Sequence, residues 1–97
     1  MAKGYWVVHI TVSDMDAYGV YQEFVRPFLA ANDGRFIIRG GAQTVVEGSV
    51  RPRTVVVEFP SLADAQRAYH SPEYQAGMQT RLKASVADFA IVEGLEG

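Results

Sequence analysis

The feature that most constrains the fold of this chain is the order in which its hydrophobic period changes along the sequence. A period of two buries one side of a pleated strand, whereas apolar residues at three- and four-residue intervals bury one stripe of a helix. Residues 5–12 alternate, with Trp6, Val8, Ile10 and Val12 on one face and Tyr5, Val7, His9 and Thr11 on the other. Ser13, followed by Asp16, has the form of a capping box, and Tyr18, Tyr21, Val25, Phe28 and Leu29 mark the inner stripe of the helix expected to begin there. Pro27 predicts a kink or a new turn, with the helix stopping near Asn32 and Gly34 as its left-handed terminator. A second strand is expected over 35–39, interrupted by a bulge or bend at Gly40-Gly41 and resuming over 43–47. Residues 48–52 then make a hairpin loop, and 53–59 return as a third strand with Val55, Val57 and Phe59 on one face and Val56 and Glu58 on the other. Ser61 with Asp64 opens a second helix whose stripe is Leu62, Ala65 and Tyr69. Ser71 caps a further helix with Pro72 at its first position and Tyr74, Met78 and Leu82 on one side. Residues 89–93 form the last strand.

The order β-α-β-β-α-β predicts an α+β, ferredoxin-like fold: a four-stranded antiparallel sheet with helices on one face, within a single domain spanning 1–97. The first and third strands are expected as its central pair, running parallel. If the Trp6 face meets the helices, the opposite face holds Tyr5, Val7, His9, Ile37, Arg39, Val56 and Glu58. That surface is too apolar to be left in water, and a second copy packing sheet against sheet about a two-fold axis is the expected cover. A chain of 97 residues removes only about 60–65% of its unfolded surface from water, so a partner also helps stability.

Composition excludes several classes. A net charge of −2 with no run of Lys or Arg lacks the electrostatic footprint that nucleic acid or an anionic membrane requires. Without cysteine there is no disulfide framework and no thiolate chemistry. His9 and Thr11 interrupt the apolar start, so no signal peptide or membrane span is expected and the cytoplasm is the expected compartment. Two histidines without ligand spacing predict no metal, and a strand histidine inside a narrow barrel presents a poor haem ligand, so no cofactor is expected. Gly40-Gly41 lacks the spacing of phosphate-binding glycine motifs.

The residues able to support chemistry are His9, Glu58 and Arg39. An imidazole, a carboxylate and a guanidinium around an apolar pocket can orient a small oxygenated ligand and move a proton. Tyr5, Trp6, Val7, Ile37 and Val56 are the expected pocket lining. The competing account is that Arg39 and Glu58 form a structural ion pair while His9 hydrogen-bonds in a packed interface. His70 at a helix end suits the helix dipole, Arg51 and Arg53 guard a hairpin edge, and Tyr18, Tyr21, Phe24 and Phe28 fall at core spacing.

Several segments carry a family resemblance: Lys3-Gly4-Tyr5-Trp6, Arg35-Phe36 with Arg39-Gly40-Gly41, Glu58-Phe59-Pro60-Ser61, Ser71-Pro72-Glu73-Tyr74-Gln75 and Val92-Glu93-Gly94. In this order they resemble a small bacterial domain-of-unknown-function family, catalogued as thirteen-thirty, within the dimeric α+β barrel superfamily. The resemblance implies the fold and a homodimer. The wider superfamily includes cofactor-free monooxygenases, lactone isomerases, polyketide cyclases and haem-handling enzymes, but the resemblance assigns no catalytic residue. Two classes of function follow: a cofactor-independent enzyme for a small aromatic or carbonyl metabolite, or a non-catalytic module that binds a small ligand or assembles with itself.

Overall fold

The computed structural model describes residues 2–96. Its elements are β1 (Gly4–Val12), α1 (Met15–Ala31), β2 (Arg35–Arg39), β3 (Arg53–Phe59), α2 (Leu62–His70), α3 (Pro72–Ala84) and β4 (Ser85–Glu93). The four strands form one antiparallel sheet in the order β2-β3-β1-β4, a ferredoxin-like α+β fold. The central pair is β1 and β3, but it runs antiparallel rather than parallel, with Val7 opposite Val56 and Trp6 opposite Val57. The helical crossover from β1 returns the chain in the same direction in β2, and the connection from β2 to β3 reverses it, so β3 must oppose both neighbours.

The alternation of β1 sends Trp6, Val8 and Ile10 into the core beneath the helices, with Val55, Val57 and Phe59 of β3 beside them. Trp6 is the centre of this core: its ring lies 4.9–5.3 Å from those of Phe59, Tyr74 and Phe89, and its indole N–H donates to the Ala65 carbonyl at 2.8 Å. A buried indole with its one donor satisfied contributes packing without an unpaired polar group.

Helix starts follow the cap chemistry, with one shift. Asp14, not Ser13, caps α1 and accepts from the Ala17 N–H at 3.1 Å, while the Ser13 hydroxyl donates to the Ala84 carbonyl. Ser61 and Ser71 cap α2 and α3 as expected, accepting from Asp64 and Tyr74. Pro27 lies within an unbroken α1; it faces outward, where the carbonyl of exposed Glu23, deprived of its N–H partner, can turn to water. The left-handed residue after α1 is Asp33, at φ 63°, rather than Gly34.

β2 departs most from expectation. One extra residue, Ile37, interrupts the ladder between the Phe36–Val57 and Ile38–Val56 pairs, so the bulge precedes the glycines. Gly40, at φ 68°, ends the strand, and 40–52 carry no strand at all, so the expected resumption over 43–47 does not occur. At the other end β4 begins at Ser85, four residues earlier than expected. No helix among the described residues is long and apolar enough to cross a membrane.

Candidate functional site

The single extra residue at Ile37 decides the placement of the sequence candidates. A one-residue slip moves every later side chain of a strand to the other face. Arg39 therefore pairs with Val55, shares the helix side of the sheet, and lies with its guanidinium 5.3 Å from the centre of the Phe36 ring. His9 and Glu58 remain on the open face, at opposite ends: His9 is opposite Thr54, and Glu58 is opposite Tyr5. Four residues of strand separate those positions, about 13 Å. His9, Arg39 and Glu58 do not form one site.

Each has a local role instead. The cationic partners of Glu58 are Arg35 at 3.0 Å and Lys3 at 3.9 Å, not Arg39, with the Tyr5 hydroxyl donating to the same carboxylate at 3.2 Å. Loss of hydration and this bond raise Tyr5 above its ordinary pKa. His9 Nδ1 lies 3.0 Å from Thr54 Oγ1, and Thr54 in turn donates to Gln43. Beside them Arg51 pairs with Asp88 at 3.1 Å and donates to Thr11. Val7 and Val56 face each other on this same half-buried surface, and Ile37 sits at the bulge, exposed. Of the expected lining, Trp6 alone reaches the enclosed cavity described next.

That cavity lies on the other side of the sheet, between it and helices α1 and α3, with a free volume of about 30 Å³, room for one or two water molecules. Trp6, Tyr18, Tyr21, Phe36 and Phe89 supply aromatic walls, and Arg26, Arg39, Arg53, Arg81 and Gln22 supply the polar groups. Its lining contains no carboxylate, and none of its arginines forms an ion pair with a described residue. Arg81 is only 4% exposed. Its guanidinium is flanked by the Tyr21 and Phe89 rings at 5.6 and 5.3 Å, and its Nε has no acceptor. Burial works against its charge, and the Tyr74 and Tyr21 oxygens work for it, with a net upward direction.

Tyr21 is held well above the ordinary tyrosine range and Tyr74 is also raised, both chiefly by burial. Both hydroxyls therefore stay protonated at neutral pH. Arg53 lies 5.6 Å over the Tyr18 ring, and its buried Nε is also unpartnered. It reaches that position because Gly40 has no side chain: a Cβ there would stand 2.2 Å from the Arg53 guanidinium.

The cavity is thus rich in donors and positive charge and poor in acceptors. A site of this kind favours an oxyanion and has no general base of its own. Binding of anything larger than a water or two requires the cavity walls to part as well as movement at the mouth, where Gln22 and Phe36 are half-buried and Arg26 and Arg39 exposed. Sequence periodicity missed Arg81 because Tyr74, Met78 and Leu82 make an acceptable stripe. The observed one runs through Tyr74, Arg81 and Ala84 and leaves Leu82 exposed. An arginine seven residues after a core tyrosine was the available signal.

The whole architecture recurs in solved structures of low sequence identity. A protein of unknown function from Rhodopseudomonas palustris, RPA0582, superposes with a TM-score of 0.76 at 15% identity, over 99% of this chain and 85% of that one. A dabb family protein with a ferredoxin-like fold from Mesorhizobium loti gives 0.65 at 16% identity, over 100% and 99% of the two chains. SnoaB, a cofactor-independent oxygenase from Streptomyces nogalater, gives 0.64 at 14% identity, over 100% and 97%. No curated protein matches the sequence. The family described as Domain of unknown function (DUF1330) matches residues 3–95, and the chain belongs to it.

Proposed function

We propose that this protein is a cofactor-independent enzyme acting on a small aromatic or carbonyl metabolite, which it holds in the cavity between sheet and helices. The observation that carries this reading is Arg81: a buried guanidinium beside two protonated tyrosine hydroxyls, facing aromatic walls with no ion-pair partner among the described residues. A preorganised cation in a water-poor site stabilises negative charge as it develops on a substrate oxygen. The shared fold with SnoaB supports the same class of chemistry by analogy. The working unit in this reading is a cytoplasmic homodimer joined through the open sheet face, whose apolar surface includes Val7, Val56, Ile38 and Val92.

The test is to add a panel of small phenols and 1,3-dicarbonyl compounds to the protein with a metal chelator and no cofactor. Oxygen uptake and deuterium exchange beside the carbonyl are followed with backbone NMR shifts. Shifts centred on Tyr21, Phe36 and Phe89, with turnover lost in Arg81→Met, are expected. The lack of a carboxylate or histidine in the lining favours a second reading, a non-catalytic binding module, which predicts the same shifts with no turnover. Absence of shifts in the cavity overturns both.

A further inference from the structure

We infer that the ligand of this cavity carries two anionic groups: an oxyanion held at Arg81, and a carboxylate held between Arg39 and Arg53 at the mouth. This rests on the cavity being the ligand site and goes on to say what the ligand is. Arg39 pairs with Val55, and Arg53 stands two residues away on the same face of β3. They are diagonal neighbours about 7–8 Å apart. Like charges so placed repel, and neither forms an ion pair with an acidic side chain among the described residues.

Nor is the arrangement a loose surface feature. Gly40 gives up its side-chain space to the Arg53 guanidinium, Tyr18 covers it from above, and its buried Nε is left without an acceptor. Arg81 is a second built donor, also with an unpartnered Nε, deeper in the same cavity. A buried cation without a counter-charge, as at Arg81, is costly, and with the half-buried Arg53, whose Nε is buried and unpartnered, it calls for a ligand that supplies both charges. The aromatic walls between them suit a flat body once they part to enlarge a cavity that, closed, has room for one or two waters. The chemical class is a planar hydroxy- or oxo-carboxylate: one end a carboxylate suited to the guanidinium fork, the other an enol or phenol oxygen.

The probes are 4-hydroxybenzoate, its amide 4-hydroxybenzamide, and 4-methoxybenzoate, each titrated into the full-length protein by NMR. The acid is expected to bind at least ten-fold more tightly than the amide and than the methyl ether, with shifts on Tyr18, Tyr21 and Phe89. Arg53→Met is expected to abolish the preference for acid over amide while keeping the preference over the ether; Arg81→Met is expected to do the reverse. Methionine is near in volume and apolar, so both variants are suited to fold, and each is checked by its unchanged core spectrum. Equal binding of all probes inside the cavity overturns the two-charge inference and leaves the cavity reading standing. Shifts confined to Arg35 or Arg51 on the open face overturn both. Should either variant fail to fold, the ratios on the unaltered protein and their loss in Arg39→Met, at an exposed position, decide the matter.

Discussion

The phenolic oxygens of Tyr21 and Tyr74 lie 2.7 Å apart where α1 meets α3, in a region from which water is excluded. Each hydroxyl is the other's partner, with the Arg81 guanidinium also beside both, so replacing one takes a bond from the other in a buried place. Tyr21→Phe and Tyr74→Phe are each expected to cost about 1–3 kcal/mol, whereas the double variant, which removes both polar groups, is expected to cost clearly less than the sum. Urea denaturation of the four proteins measures the coupling. Strict additivity would show that the bond contributes nothing.

The same pair predicts an alkaline limit to stability. Burial raises both tyrosines above their ordinary value of 10.0, so the fold favours the protonated form. That contribution is fully present below the unfolded value and is lost as pH rises above it toward the folded values. Stability is therefore expected to fall above about pH 10. Each Tyr→Phe change is expected to flatten the slope by up to about 1.4 kcal/mol per pH unit. Denaturation midpoints measured across that range check it; an unchanged slope in both variants would refute it.

Part of this arrangement is written in the sequence and part is not. The layers were legible because period and caps agree: the Trp6/Val8/Ile10 alternation and the Ser61 and Ser71 caps lead directly to β1, α2 and α3. The cavity was not, because two features hid it. One unpaired residue at Ile37 turned Arg39 from the open face into the helix layer, and no local pattern in Arg-Phe-Ile-Ile-Arg separates a bulged from an unbroken strand. Arg81 was hidden by its type, since long charged side chains are rarely buried without a partner. Gly40, readable only as a backbone feature, makes room for a guanidinium. The residue that chemistry would pick first, His9, stands apart from the cavity because parity put it on the open face.

Two helix glycines are expected to respond in opposite directions to the same substitution. A Cβ on Gly77 of α3 would stand 2.2 Å from the Phe24 ring of α1, whereas one on Gly19 of α1 meets nothing within 4 Å. Gly77→Ala must displace the Phe24 ring from its packing between the helices and is expected to cost about 1–3 kcal/mol. Gly19→Ala removes backbone freedom from the unfolded chain without a clash and is expected to stabilise by about 0.5–1 kcal/mol. Thermal unfolding of both variants checks the signs; a stabilised Gly77→Ala would mean that Phe24 moves freely and that the α1–α3 contact is loose.

The open sheet face provides the test of assembly. Val7 and Val56 are directly opposed at its centre, between the Tyr5–Glu58 pair at one end and the His9–Thr54 pair at the other. Apolar surface left in water there forfeits roughly 25 cal/mol per Å², and a carboxylate buried in a two-fold interface meets its own copy as well as losing its hydration. Val7→Asp and Val56→Asp are therefore expected to shift the proposed homodimer toward monomer by at least 100-fold in dissociation constant. Val20→Asp is the control, because Val20 lies on α1, 59% exposed, in the layer of helices on the other side of the sheet. It is expected to leave the dimer intact. Sedimentation across a range of protein concentrations reads all three. Equal weakening by Val20→Asp would move the interface to the helices, and a wild-type protein that sediments as a monomer at micromolar concentration would remove the homodimer altogether.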